Sequence, residues 1–258
     1  MKINKILENR TFSVKTSPYN VFEKKIVDAF YLERKIMMMK FGKKEQYQSR
    51  IQLIVFLVSC LEYFLQEIFK LAIDKTIISV GELKKTKNFN SVKANIDELQ
   101  EINKNKIKIS EIMVEEMNFQ NIKDIVLLCD LLKIGKNFKN LPTQETNIRL
   151  SKLRGKIPDP RKKHSPNIEK KMTKFIIENF GANFALPKEQ EKLVRMVNTV
   201  NKMIFLRHKI VHKAQLVKID NWESLVYTMA TVQLAFIINE CYKVELKKIK
   251  TKNAKTKN

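Results

Sequence analysis

The stretch "KEQEKLVRMVNTVNKMIFLRHKIVHK" (188–213) decides the fold class, because its apolar residues recur at the spacing of an α-helix. The residues that share one face of this predicted helix are Leu193, Val197, Val200, Ile204 and Val211. Two of the chain's three histidines stand four apart at the end of the stretch, beside an arginine. The pattern therefore predicts an amphipathic helix that ends in a small cluster of basic groups.

Other parts of the chain have the same helical character. Ser17-Pro18 is typical of a helix start and predicts a first helix that runs to about Gly42. The following stretch "QYQSRIQLIVFLVSCLEYFLQEIFKLAI", about 46–73, is apolar on nearly all sides in its middle, which predicts a central helix covered on most sides. Asp220 and Glu223 resemble a capping box for one more long helix.

Composition supports an all-α fold. The 258 residues include only five glycines and six prolines, too few turn-forming residues for a many-stranded sandwich or barrel. We expect a single domain over 1–258, an antiparallel helical bundle with a basic, partly helical insertion. Its expected parts are core helices over about 17–80 and 166–246, the insertion over about 81–165 and a disordered basic tail over about 247–258.

The formal net charge of +23 is large. It indicates either attraction to a polyanion, most often nucleic acid, or merely a lysine-rich composition. The loop "RGKIPDPRKKH" (154–164) is a plausible path for phosphates, and the alternative interpretation is a solvated surface loop. Because the loop contains no aromatic residue, sequence-specific reading of RNA bases cannot be inferred from it.

The cysteines indicate a reducing compartment. Cys60, Cys129 and Cys241 are scattered and form no CxxC pair, which argues against a disulfide framework or a structural zinc site. No apolar signal region follows the first residues. The most hydrophobic stretch, 53–61, is shorter than the ~20 apolar residues of a membrane span. The sequence predicts a cytoplasmic protein without membrane association.

Three residues near the end of the predicted helix, Arg207, His208 and His212, could carry chemistry. His208 and His212 have the spacing of a metal-binding pair, but the neighbouring cations disfavour a divalent ion, and no metal or other cofactor is expected. Phosphodiester cleavage in RNA needs proton transfer near neutral pH and cations around the phosphate, which histidine and arginine provide. The spacing alone is weak, because Arg207 and His212 lie about 140° apart on a regular helix unless a long side chain compensates.

The segment "LRHKIVH" resembles the signature of the HEPN superfamily, an arginine, a polar residue, three further residues and a histidine. "LIVFLVSCLEYFLQEIF" resembles the early helix of that family, which carries an acidic residue, and Glu62 matches it. From the residues alone, Glu62 either opens onto a surface groove or meets a basic group across the core. The resemblance covers roughly 45–80 and 188–244.

The resemblance implies a helical bundle that forms a homodimer, with two motifs facing each other in one composite ribonuclease site. Arg207 would bind the scissile phosphate, His212 would transfer protons, His208 would support them and Glu62 is a candidate supporting acid. The expected function is a metal-independent endoribonuclease of the toxin or antiphage-defence type, with an antitoxin or a defence-system protein as a further partner. The position occupied by tyrosine in one toxin subgroup is Ala214 here, which argues against regulation by nucleotidylation.

Two rival hypotheses remain at this point. One is a non-catalytic HEPN-like module that binds RNA or a partner, and the other is a helical interaction protein in which the motif is coincidental. The cations that we predict to contact RNA are Lys209, Lys213, Arg154, Lys156, Arg161, Lys162 and Lys163.

Overall fold

The computed structural model describes Ile6, 17–38, 42–86, Phe89, 96–134, 189–213 and 217–255. These residues form eight helices and no strand, which confirms the predicted all-α class. The helices are α1 (Pro18–Met38), α2 (Lys43–Asp74), α3 (Val80–Lys84), α4 (Ile96–Lys104), α5 (Ile109–Glu115), α6 (Ile122–Leu131), α7 (Glu189–Lys213) and α8 (Asn221–Lys255).

The first two long helices run antiparallel. α1 begins at Pro18 as predicted, and the carbonyl of Ser17 accepts a hydrogen bond from the Val21 amide. The Tyr19 ring, near the start of α1, lies 6.1 Å from the Phe64 ring in the second half of α2. The end of α1 precedes the start of α2 in the chain. These buried aromatic rings therefore hold the start of α1 against the second half of α2.

The last two long helices complete the bundle. The buried Arg50 of α2 donates from Nη1 to the Ile219 carbonyl at 2.9 Å, which anchors the entry to α8 at the beginning of α2. Farther along, Phe236 of α8 packs on Tyr19, so α8 runs parallel to α2. Thr231 Oγ1 lies 3.4 Å from Met203 Sδ, which places α7 against α8. At the start of α8 the Asp220 amide donates to Glu223 Oε2, half of the predicted capping box.

α8 is the most completely covered helix of the described bundle. Every residue from Thr228 to Asn239 is buried. α2 supplies a large buried face, as predicted, but keeps an exposed strip that includes Gln52, Phe56 and Ser59. The prediction of a central α2 is thus confirmed for most of its circumference, while complete enclosure is found in residues 228–239 of α8.

Most of the described part of the expected insertion, which reaches Ile134, belongs to the same core as the long helices, while Ile107 forms a small separate cluster with Ile6. α3 opens with a capping box in which Ser79 and Glu82 exchange hydrogen bonds. α5 packs on α2, and α6 packs on α7. Buried apolar residues of this region, including Phe119, Leu128 and Ile134, join the central cluster. The short helices therefore cover one side of the bundle and reach the last turns of α7.

Two expectations about particular residues are wrong. Residues 247–255 do not form a disordered tail but continue α8 to Lys255, because Leu246 and Ile249 pack on the core and Lys248 pairs with the buried Glu245 at 2.6 Å. Val211, expected on the same apolar face of α7 as Val200 and Ile204, is 45% exposed, whereas those two residues are buried.

Two described helices have the length and apolar composition of a membrane span, namely Lys43–Asp74 and Glu223–Ala254. Within their most apolar windows, 50% and 89% of the residues are buried inside the bundle. Core helices of soluble proteins have the same length and apolar composition, so these two features are weak evidence for a membrane span. The expected lack of membrane association stays a prediction.

Candidate active site at the end of α7

Arg207 occupies a core-facing position of α7. The buried stripe of this helix runs through Met196, Val200 and Met203, and Arg207 is the next residue in the same series. Ile210, one turn later, packs against the core. The guanidinium is consequently half-buried, and its Nε is covered without a hydrogen-bond partner among the described residues. A charged group in such a position needs polar partners from neighbouring elements.

His212 is one of those partners. Arg207 Nη1 lies 3.2 Å from His212 Nε2, although the two residues are about 140° apart on an ideal helix. The long arginine side chain spans that angle. Because a guanidinium can only donate, a hydrogen bond between these two atoms has Nε2 of His212 as its acceptor. The predicted pair is therefore in contact within one subunit.

Gln120 is the second partner of Arg207. Arg207 Nη1 donates to Gln120 Oε1 at 2.6 Å, and Gln120 Nε2 donates to Glu62 Oε2 at 2.7 Å. The amide can have only this orientation, because the guanidinium has no acceptor and an ionised carboxylate has no donor. Glu62, Gln120, Arg207 and His212 thus form a continuous chain of hydrogen bonds, which we call the Glu62–His212 chain.

Glu62 was expected either to open onto a groove or to meet a basic group. It is half-buried on α2 and reaches the basic group through an intermediate amide. Among the described contacts, Glu62 and Arg207 form no direct ion pair. The carboxylate consequently orients the guanidinium while remaining one side chain away from it.

The turn between α5 and α6 carries Gln120. The buried Asp124 accepts a hydrogen bond from the Asn118 amide at 2.7 Å, and Asn118 Oδ1 accepts one from the Gln120 amide at 3.1 Å. Asn121 caps α6 by accepting from the Lys123 amide. Short polar residues of this kind fix turns by bonding to backbone a few residues away. The backbone at Gln120 is therefore held from both sides.

The remaining cluster residues lie around the outer face of α7. His208 is exposed, and its ring centroid lies 4.7 Å from that of His212. Lys209 places its ammonium 4.6 Å from the centroid of the Phe205 ring, and Phe205 is 57% exposed. Lys213 is exposed at the end of the helix. Three cationic or titratable groups and one aromatic ring thus face solvent beside the Glu62–His212 chain.

Other predicted residues lie outside the described part of the chain. These are the RNA-binding candidates Arg154, Lys156, Arg161, Lys162 and Lys163, together with residues 166–188 of the region expected to form core helices.

The cysteines are poorly suited to act as nucleophiles. All three are buried and free. Burial raises the pKa of Cys60 to about 11 and the pKa values of Cys129 and Cys241 to about 12. The reactive thiolate is therefore scarce at neutral pH, and covalent thiol chemistry is disfavoured. The Glu62–His212 chain is the stronger candidate among the described side chains.

Sequence reasoning missed Gln120. It belongs to the region 81–165, in which the sequence predicted a role only for the basic loop 154–164, and a single glutamine in a polar turn carries no motif. The residues around it, "NFQNIKD" (118–124), do predict a turn that leads into a helix. That pattern could have located the turn, but not its contact with a helix 87 residues later.

Comparison of the chain with protein-family models, with curated proteins and with solved structures found no match.

Proposed function

We propose that this protein is a HEPN-like endoribonuclease that cleaves RNA by attack of the ribose 2′-OH without a metal ion. The observation that carries the proposal is the 3.2 Å contact between Arg207 and His212, in which the guanidinium is itself held by Gln120. A preorganised cation beside an imidazole supplies charge stabilisation and proton transfer at one point.

The chemistry assigns separate tasks to the two side chains. Nη2 of Arg207 donates to none of the described residues, so it offers N–H groups to a phosphate oxygen. When the ribose 2′-OH replaces the Arg207 contact at Nε2 of the exposed His212, the imidazole accepts the 2′-OH proton. The 2′-oxygen then bonds to phosphorus, the bond to the 5′-oxygen breaks, and an imidazolium protonates that leaving oxygen.

The reaction uses two proton-transfer groups, a base and an acid. Two copies of the Arg207–His212 pair facing each other in a homodimer would provide both, as the family resemblance implies. His212 and Val211 are exposed and therefore accessible to a second subunit. The products would be a 2′,3′-cyclic phosphate and a free 5′-OH. A role as a toxin or antiphage-defence effector belongs to the same proposal.

The test is cleavage of total and synthetic RNA, with EDTA present, by wild type, Arg207→Ala and His212→Ala. Lys202→Ala removes an exposed cation from the same helix and is the control. We expect wild type and the control to leave 2′,3′-cyclic phosphate ends and both site variants to lose activity. RNA binding without cleavage would favour the non-catalytic module instead. Cleavage that persists in both site variants would overturn the assignment of the site.

A further inference from the structure

The contact between Gln120 and the end of α7 connects the short helices with the proposed site. The turn that carries Gln120 is fixed by Asn118 and Asp124, and the amide contacts both Glu62 and Arg207. Three separate parts of the chain therefore determine where the guanidinium points. Neither the family resemblance nor the proposed function accounts for Gln120.

We infer that Gln120 is a positioning residue that aims Arg207 and keeps Glu62 away from direct pairing with it. The inference rests on the proposed function, because the group being aimed is the proposed phosphate ligand. Its geometric part, the orientation of Arg207, can be measured without any reaction.

The amide suits this task for an electrostatic reason. A carboxylate bonded directly to Arg207 would orient the guanidinium but would also satisfy its charge before the phosphate arrives. Gln120 transmits the orientation through two hydrogen bonds while adding no charge of its own. Arg207 thus stays fixed and retains its attraction for an anion.

The arrangement also explains which atoms of Arg207 remain available. Nη1 is engaged by Gln120 and His212, and Nε is covered. Nη2 is therefore the part of the guanidinium that is left without a hydrogen bond to the described residues. Loss of Gln120 would let the side chain rotate among its rotamers, with an entropic penalty when the phosphate binds.

The first variant for the test is Gln120→Leu, which keeps the approximate volume and removes both hydrogen bonds. Gln100→Leu changes an exposed glutamine of α4 and is the matched control. We expect Gln120→Leu to lower kcat/KM for RNA cleavage about 10- to 100-fold, with most of the loss in kcat, as for a misplaced catalytic group. Equal kinetics for the two variants would overturn the inference.

A charge exchange provides a second test that does not depend on whether Gln120→Leu folds well. In Gln120→Glu two carboxylates face each other and Glu62 loses its donor, so activity should fall. Adding Glu62→Gln places an amide at position 62 that donates to the carboxylate at position 120. That carboxylate accepts a hydrogen bond from Arg207. The double variant should therefore be severalfold more active than the product of the single effects predicts. Independent, multiplicative effects would contradict the inference.

A readout without catalysis separates this inference from the proposed function. The guanidinium signals of Arg207 in ¹⁵N NMR, assigned with Arg207→Lys, should broaden or exchange faster with solvent in Gln120→Leu than in Gln100→Leu. Unchanged signals would contradict the positioning role even if wild type cleaves RNA. A wild type that cleaves no RNA, but whose Arg207 signals respond to Gln120→Leu, would overturn the proposed function and leave the positioning role supported.

Discussion

The last turns of α7 and the middle of α8 both contain polar side chains, but they use them differently. In α8, Thr228 and Thr231 donate to carbonyls four residues earlier in their own helix, at 2.8 and 2.7 Å. In α7, Arg207 bonds to a side chain from a distant turn. Local bonds allow a hydroxyl to be buried at little cost, whereas bonds between elements fix the direction of a charged group.

This difference separates the determinants of stability from those of the proposed activity. Thr228 and Thr231 of α8 satisfy their hydroxyls within the helix where it is enclosed, whereas the buried amide of Gln233 has no hydrogen-bond partner among the described residues. The polar groups at the end of α7 keep donors and acceptors available beside solvent, since His208 and His212 are exposed. Variants in α8 should therefore affect unfolding, and variants at the end of α7 should affect the reaction.

The largest expected effect on activity comes from His212→Gln. The glutamine amide can still accept a hydrogen bond from Arg207, but it cannot carry a proton through the reaction. We expect single-turnover RNA cleavage to fall about 10³-fold, the usual contribution of general acid–base catalysis, while urea unfolding stays unchanged. Cleavage within severalfold of wild type would mean that His212 only orients Arg207.

Leu234→Ala tests the other side of the comparison. Leu234 is fully buried in α8, so its truncation removes apolar contacts and leaves a cavity. We expect the free energy of unfolding to drop by about 3 kcal/mol, measured by urea denaturation. Phe205→Ala, on the exposed face of α7, is the matched variant and should change stability by less than ~0.5 kcal/mol. Similar losses for the two variants would remove the distinction between the helices.

The helices of the bundle could be predicted because each carries local signals. Pro18 starts α1, and the apolar spacing in 188–213 predicts α7 almost to the residue. The continuation of α8 to Lys255 could not be predicted, because Leu246 and Ile249 find their packing partners only in the folded bundle. Local periodicity thus defines where helices form, but not where tertiary contacts extend them.

The candidate site was only partly predictable for a related reason. Arg207 and His212 are close in sequence, so their spacing could be weighed directly. Gln120 is 58 residues from Glu62 and 87 residues from Arg207 in the sequence, and no local sequence pattern indicates contacts over such separations. Contacts of this kind depend on how α5 and α6 pack on the long helices, which the sequence of a single chain does not reveal.

The smallest expected effect concerns the capping box of α3. Like the threonine hydrogen bonds of α8, it joins residues that are close in sequence. The Glu82 carboxylate accepts hydrogen bonds from the Ser79 amide at 2.9 Å and the Ser79 hydroxyl at 2.8 Å. The amide hydrogen bond, more than any other contact, lowers the pKa of Glu82 below its ordinary value of 4.5. A lowered pKa in the folded state means that the contribution of this group to stability is present above pH 4.5 and is lost as the pH falls through the folded value.

Glu82→Gln should therefore lower the free energy of unfolding at pH 7, and the difference from wild type should shrink as the pH falls below 4.5 and through the lowered pKa of Glu82 in the folded state. Ser79→Ala removes the hydroxyl that caps the start of α3. It should lower the free energy of unfolding by about 1 kcal/mol at pH 7. Both are measured by urea denaturation across the pH range, with RNA cleavage at pH 7 as the second readout. If either variant loses more RNA cleavage than folded protein, stability and activity do not have separate determinants, because a local bond in α3 would then influence the end of α7.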